Sequence, residues 1–350
     1  MPTQLDAAQP LRFGFLLLPR YSMIAVTSAI EPLRMANQLS RRQLYEWVAL
    51  SSDGGPVAAS NGLTIRIDAD IEHAGRLDFL FVCGGLDVRL SCDRQVVDWL
   101  RRLARKGVTL GGLCTGSYLL ARAGLLNGYS ATIHWENIAG LREEFPRIHS
   151  TDELFVMDRS RFTCSGGIAP LDMIVTLISQ QHGIDLAAAI SEEFIHERIR
   201  TVKDQQRDPL RLHVGEGHPK LIEAARLMEA NIEEPIPLDD VARYVSVSRR
   251  QLERLFKRYL DMAPTRYYLG LRLTRARQYL LQTSLSVAEI ALACGFVSAP
   301  HFSRCYRELF GAAPRDERRP ARPARPAQPT PPDWSGQRHD REPAAHARSF

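Results

Sequence analysis

VTLGGLCTGSYLL, residues 108–120, changes character at its middle. VTLGGLC reads as a short buried strand, and Gly116 onward reads as the start of a helix. Between them Gly112, Cys114 and Gly116 form a G-x-C-x-G. Many α/β enzymes expose a nucleophile on such a sharp strand-to-helix turn. The backbone N–H groups after Cys114 are expected to point into a pocket and favour an anion there. The same helix N-terminus is expected to lower the thiol pKa.

Similar apolar runs precede this elbow. FGFLLLP at 13–19, YEWVALSS at 45–52 and LDFLFVCGG at 77–85 are strand-sized, and helical patterns at 23–39, 93–106 and 116–123 separate most of the strands. Buried strands alternating with helices predict a parallel sheet covered on both faces. ELFVMD and RFTCSGG are two later short strands, followed by helices near 170–181 and 186–199. This α/β domain is expected to span 11–202, after an N-terminal extension at 1–10. KDQQRDPLRLHVGEGHPK, 203–220, is polar and reads as a linker. Helical signals fill 221–318, and the Pro/Arg-rich stretch 319–350 lacks core-forming residues and is expected to be disordered.

Charge divides along the same boundary. Residues 1–210 carry 22 Lys+Arg against 24 Asp+Glu, whereas residues 211–350 carry 23 against 16. A polyanionic partner is therefore sought in the C-terminal half. The six cysteines show no CxxC spacing, and Cys294, His301 and Cys305 lack a fourth ligand at zinc-finger distance. Buried free thiols in a reducing cytoplasm fit this usage, with no metal and no cofactor. MPTQLDAAQP has no basic segment typical of a signal peptide, and no apolar run is long enough for a membrane span.

The basic half contains a repeat. LDDVARYVSVSRRQLERLFKRYLDMAPT at 238–265 matches VAEIALACGFVSAPHFSRCYRELFGAAPR at 287–315. Val247-Ser248 pairs with Val297-Ser298, Leu252 with Phe302, Arg254 with Arg304, and Pro264 with Pro314. Each copy reads helix, turn, helix. Ala242 or Ala291 lets the helices approach, and Ser248 or Ser298 suits the N-cap of the second helix. Leu252, Leu255, Phe256 and Tyr259 form one buried stripe; Phe302, Tyr306 and Leu309 form the other. Arg249, Arg250, Glu253, Arg254 and Lys257 in one copy, and Pro300, His301, Ser303 and Arg304 in the other, are the candidate DNA-binding residues. The alternative is a plain helical bundle with a solvated basic face. Two copies in register on one connecting helix count against it.

Residues 221–318 resemble an AraC/XylS-type DNA-binding domain through VSRRQLERLFKRYL, RLTRARQYLLQTSLSVAEIALACGF and HFSRCYRELFG followed by Pro314. The resemblance implies an all-α domain with two helix-turn-helix units entering successive major grooves, about 34 Å apart. GGLCTGSYLLARAGLLNGYSATIHWE, 111–136, resembles the class I glutamine amidotransferase-like superfamily that includes PfpI-type proteases. It implies that the α/β sheet is of the flavodoxin-like, PfpI-like kind. The protease branch places His directly after the nucleophile, where this chain has Thr115. The amidotransferase branch carries a late His-x-Glu, and His196-Glu197 is adjacent rather than spaced. No catalytic residue is therefore assigned.

The fusion resembles a family of bacterial regulators, to which SAIEPLRMANQL and ASNGL also belong. It implies ligand sensing by the first domain, dimerisation through it, double-stranded DNA binding by the second, and contact with RNA polymerase, with activation the expected outcome. EPLRMANQLS, SRRQLERLFKRYL and GFVSAPHFS look especially like regulators of glycine betaine, choline and carnitine catabolism; arginine or another amino-acid-like effector stays open. The candidate ligand site is Glu31, Cys114, Thr115, Gly116, His134 and Trp135. The elbow amides would hold a carboxylate, and Glu31 with an aromatic face (Trp135, Tyr118 or Trp47) would hold a quaternary ammonium. Two readings of Cys114 remain beside sensing: a cysteine hydrolase or amidase, and a thiol redox sensor.

Overall fold

A computed structural model describes residues 9–91, 93–196, 199–200, 206 and 218–317. Residues 1–8 of the expected extension at 1–10, most of the linker, Cys92 and the Pro/Arg-rich stretch 319–350 lie outside the described residues.

The first domain is a doubly wound sheet. Strands β1 (Leu11–Leu17), β2 (Tyr45–Ser51), β3 (Ala69–Asp70), β4 (Phe79–Cys83), β5 (Thr109–Leu113), β8 (Phe155–Asp158) and β9 (Arg161–Cys164) lie in the order β3-β2-β1-β4-β5-β9-β8. All pairs are parallel except β8 with β9. The expected all-parallel sheet thus has an antiparallel edge, because only Arg159 and Ser160 connect those two strands and so short a loop cannot cross over. A separate small pair is formed by β6 (Ser130–Ala131) and β7 (His149–Ser150).

Side-chain alternation builds two cores. Phe13, Phe15 and Leu17 of β1 point to one face with Phe79, Phe81 and Cys83 of β4. They pack against α1 (Met23–Ser40), α5 (Ala169–His182) and α6 (Ile184–Glu193). Leu16 and Leu18 point to the other face with Leu80 and Val82, against Trp99, Leu100 and Leu103 of α2 (Arg94–Arg105) and Leu119 and Leu120 of α3 (Ser117–Arg122). α4 (Ile138–Glu144) adds Leu141 to that second core. The helix expected at 186–199 ends at Glu193.

The second domain is helical: α7 (Pro219–Ala230), α8 (Leu238–Tyr244), α9 (Arg249–Leu260), α10 (Pro264–Gln282), α11 (Val287–Ala293), α12 (Ala299–Phe310) and α13 (Pro314–Glu317). It has two cores. Leu221, Met228, Val241, Ala242, Leu252, Phe256 and Tyr268 form one; Leu273, Ala276, Leu280, Ile290, Ala291, Phe302 and Tyr306 form the other. α10 supplies side chains to both. Leu309 was expected inside but is 50% exposed, while Cys305 is buried. α12 stops at Gly311, and the Phe310 ring lies tilted against Tyr306 at 4.6 Å and covers that end instead. Leu255 and Tyr259 are half-buried. All five described cysteines are buried free thiols. Among the described residues no helix is long and apolar enough to cross a membrane.

Phe256 and Phe302 occupy equivalent places in the two cores and are fully buried. Phe256→Ala and Phe302→Ala should each cost about 3–5 kcal/mol of second-domain stability. Urea unfolding followed by a probe in each domain should show the second-domain transition move alone.

Candidate ligand site and nucleic-acid interface

Cys114 lies at the end of β5 with φ of 58°, a conformation that costs a non-glycine residue roughly 1–2 kcal/mol. A three-residue 3-10 turn, Cys114–Gly116, leads into α3. The flanking glycines are steric requirements. A Cβ on Gly116 would lie 1.9 Å from the Val82 carbonyl oxygen, and one on Gly112 would lie 2.5 Å from the Ser117 nitrogen. The Thr115 hydroxyl donates to the Gly85 carbonyl at 2.7 Å, tying the elbow to the loop after β4. Thr115 and Gly116 are both buried.

Cys114 is 8% exposed, and burial pushes its thiol up to about 11. A hydrogen bond from the Thr115 amide pulls the other way and is outweighed, and Glu136 pushes further up. The lowered pKa expected from a helix terminus is overturned, because α3 has only six residues and desolvation dominates.

His134 is brought to the elbow by backbone. Its amide donates to the Cys114 carbonyl at 3.3 Å. Burial lowers its imidazole below the usual value, so the ring is neutral at pH 7. A 3-10 turn over Trp135–Asn137 folds the chain back, setting Glu136 Oε2 3.6 Å from His134 Nδ1. The Trp135 ring is tilted on His134 at 5.6 Å. The sequence reading missed Glu136, although His134-Trp135-Glu136 is itself a His-x-Glu. Glu31 is elsewhere engaged: its carboxylate accepts from Arg34 at 2.7 Å within α1. The carboxylate whose charge reaches Cys114 is Glu136. Tyr118 is buried in the opposite core with its hydroxyl on Glu144 at 2.9 Å, and Trp47 lies exposed on β2. Neither is placed beside the elbow.

The same segment meets the rest of the chain. Gln206 donates its amide to Thr132 Oγ1 at 2.7 Å, the Ile133 carbonyl at 2.8 Å and the Glu153 carbonyl at 3.0 Å. From α10, Gln282 donates to the Glu136 carbonyl. Gly140 of α4 permits this approach; a Cβ there would lie 2.8 Å from Gln282 Oε1. Among the described residues no group of three His, Cys, Asp or Glu could hold a metal.

In the second domain both expected N-caps are present. Ser248 and Gln251 form a capping box on α9, and Ser298 accepts from the His301 amide on α12. The outward faces differ in charge balance. Arg249 is paired with Asp239 at 2.9 Å and Glu253 at 3.2 Å, and Lys257 with Asp261 at 2.6 Å. Arg250, Arg254, His301 and Arg304 are exposed and form no ion pair with a described residue. Pro300 is exposed in the first turn of α12, and Ser303 is half-buried.

Known proteins match the chain in two places. Residues 23–180 match the DJ-1/PfpI family, and residues 241–320 match a helix-turn-helix domain. The chain is 57% identical to the HTH-type transcriptional regulator GbdR of Pseudomonas aeruginosa over 310 residues, covering 89% of this chain and 84% of the relative. It is 47% identical to the HTH-type transcriptional regulator CdhR of the same species, covering 87% and 91%. Over 183 residues it is 30% identical to the isonitrile hydratase of Pseudomonas putida, covering 51% and 76%.

Arg254→Ala and Arg304→Ala should each weaken specific DNA binding by about 1–3 kcal/mol, with preference altered in different halves of the site. Fluorescence anisotropy on a specific duplex and its half-site variants checks this; equal losses on all sequences would make both phosphate contacts. A thiol held near 11 stays protonated at neutral pH. Alkylation of Cys114 by iodoacetamide, read by peptide mass spectrometry, should rise about tenfold per pH unit through pH 9. A plateau below pH 8 would contradict the raised value.

Proposed function

The chain belongs to the HTH-type transcriptional regulators that carry a DJ-1/PfpI domain ahead of an AraC-type helix-turn-helix domain, and from that premise we propose that the Cys114 elbow is its effector site. The effector is glycine betaine or a related quaternary ammonium compound, and its binding activates transcription through a homodimer that contacts RNA polymerase in the bacterial cytoplasm. Glu136 attracts the cationic end, and Trp135 offers an aromatic face to it. The protonated Cys114 thiol and the neutral His134 ring leave the elbow uncharged toward a ligand carboxylate.

One observation carries this reading. Residues 134–136 run from the Cys114 carbonyl to the side chain of Gln282 on α10. A ligand that shifts this segment differently in two states biases the helix joining both DNA-reading units. A catalytic reading has a specific point in its favour, the similarity to isonitrile hydratase. Against it, about one Cys114 thiol in ten thousand is ionised at pH 7 with a pKa near 11. The base beside it, His134, is neutral and tied by its amide rather than aimed by a hydrogen bond to the sulfur.

Calorimetry on the full chain with glycine betaine, carnitine and arginine tests the ligand. Saturable binding of a quaternary ammonium compound is expected, with DNA affinity changing on its addition. Gln282→Ala should leave ligand affinity within about twofold and remove most of the ligand effect on DNA affinity. Cys114→Ser should keep much of the response. Binding of arginine alone would reject the ligand assignment, and a hydratase or amidase activity lost in Cys114→Ser would reject sensing.

A further inference from the structure

The two helix-turn-helix units present different chemistry at the tips of their recognition helices. α9 opens with Arg249, Arg250 and Gln251, all exposed. α12 opens with Ala299 and Pro300, and Val297 stands just before its N-cap. Val297 is 100% exposed, whereas its repeat partner Val247 is half-buried. The isopropyl group of Val297 thus packs on nothing in the folded domain.

The exposure is built in. Arg272 of α10 donates Nε to the Cys294 carbonyl at 2.8 Å and an Nη to the Gly295 carbonyl at 2.7 Å. Its guanidinium lies 4.1 Å over the ring of Phe296, which is buried. Gly295 holds φ of +74°, and a Cβ there would lie 2.6 Å from both the Ile232 carbonyl oxygen and Pro235. The turn is therefore clamped on both sides of its backbone. With Phe296 anchored inward and Ser298 fixed as the cap, Val297 points away from the domain.

We propose that Val297 is a specificity-determining residue of DNA recognition whose isopropyl group packs on the C5-methyl of a thymine in the major groove. The proposal rests on α12 being a recognition helix. An isopropyl group neither donates nor accepts a hydrogen bond. Along the major-groove edge the thymine methyl is the one apolar feature, and every other group distinguishing the base pairs is a donor or acceptor. Ala299 and Pro300 extend the apolar tip and add no side-chain donor beside it. The half-site facing α12 is read there by a methyl contact, and the one facing α9 by arginine.

The test uses the full chain and a duplex selected by it from a random pool. Each thymine in the α12 half-site is replaced in turn by deoxyuridine, which removes only the methyl group. At one position the wild type should lose about threefold to fivefold in affinity, the value of one buried methyl. Val297→Ala should lose a similar factor on the thymine duplex and be indifferent to deoxyuridine at that position. Its melting temperature should match wild type, since the side chain packs on nothing. Arg304→Ala serves as the control for α12. If Arg304→Ala weakens binding while Val297→Ala still senses the methyl, or no thymine methyl is sensed, the Val297 proposal is overturned and α12 remains a recognition helix. If neither variant affects binding, the reading of α12 itself fails. Unchanged DNA binding with lost transcription in Val297→Ala would assign the side chain to RNA polymerase and equally overturn the proposal.

Discussion

One helix holds the second domain together, and the geometry of DNA reading depends on it. α10 is 19 residues long, about 28 Å at about 1.5 Å per residue. Its first turns place Tyr268 in the core beneath α9, and its later turns place Leu273, Ala276 and Leu280 in the core beneath α12. Neither core closes without it. The recognition helices therefore keep a fixed spacing because both are packed on one rigid element. Its last residue, Gln282, is also the one that meets Glu136 of the first domain. A single helix thus orients two DNA-reading surfaces and touches the segment beside the elbow.

At the elbow the constraint is desolvation. The strand-turn-helix geometry is that of an exposed nucleophile, with Cys114 at positive φ and glycines where any Cβ would collide. Gly166 closes over it; a Cβ there would lie 3.0 Å from Cys114 Sγ. An ionised sulfur in such surroundings loses its hydration and regains one amide hydrogen bond. Burial wins, and the thiol stays neutral. The same backbone that would activate a nucleophile in an open pocket here supports a neutral, shaped surface.

Much of this was legible in the sequence, for reasons that differ by region. The repeat at 238–265 and 287–315 carried its own register, so the caps Ser248 and Ser298 and the buried Phe256 and Phe302 could be placed from spacing alone. Leu309 could not, because an i, i+7 position falls at the edge of the stripe and Phe310 competes for the space. The elbow was readable from G-x-C-x-G, but its electrostatics were not: whether a helix end or burial sets the Cys114 pKa depends on what closes over the sulfur. The pairings of Glu31 and Glu136 were not legible because sequence shows no ion pairs. Arg34 engages the first through an i, i+3 contact, while a 3-10 turn carries the second back toward His134.

The central claim is that residues 134–140 and α10 respond to the effector as one connected unit. Hydrogen–deuterium exchange of the full chain with and without glycine betaine addresses it directly, since protection is read peptide by peptide. Protection is expected to change in peptides covering 134–140 and in the C-terminal turns of α10 at the same ligand concentration. A change at the elbow that saturates while α10 exchanges as in the free protein would contradict it.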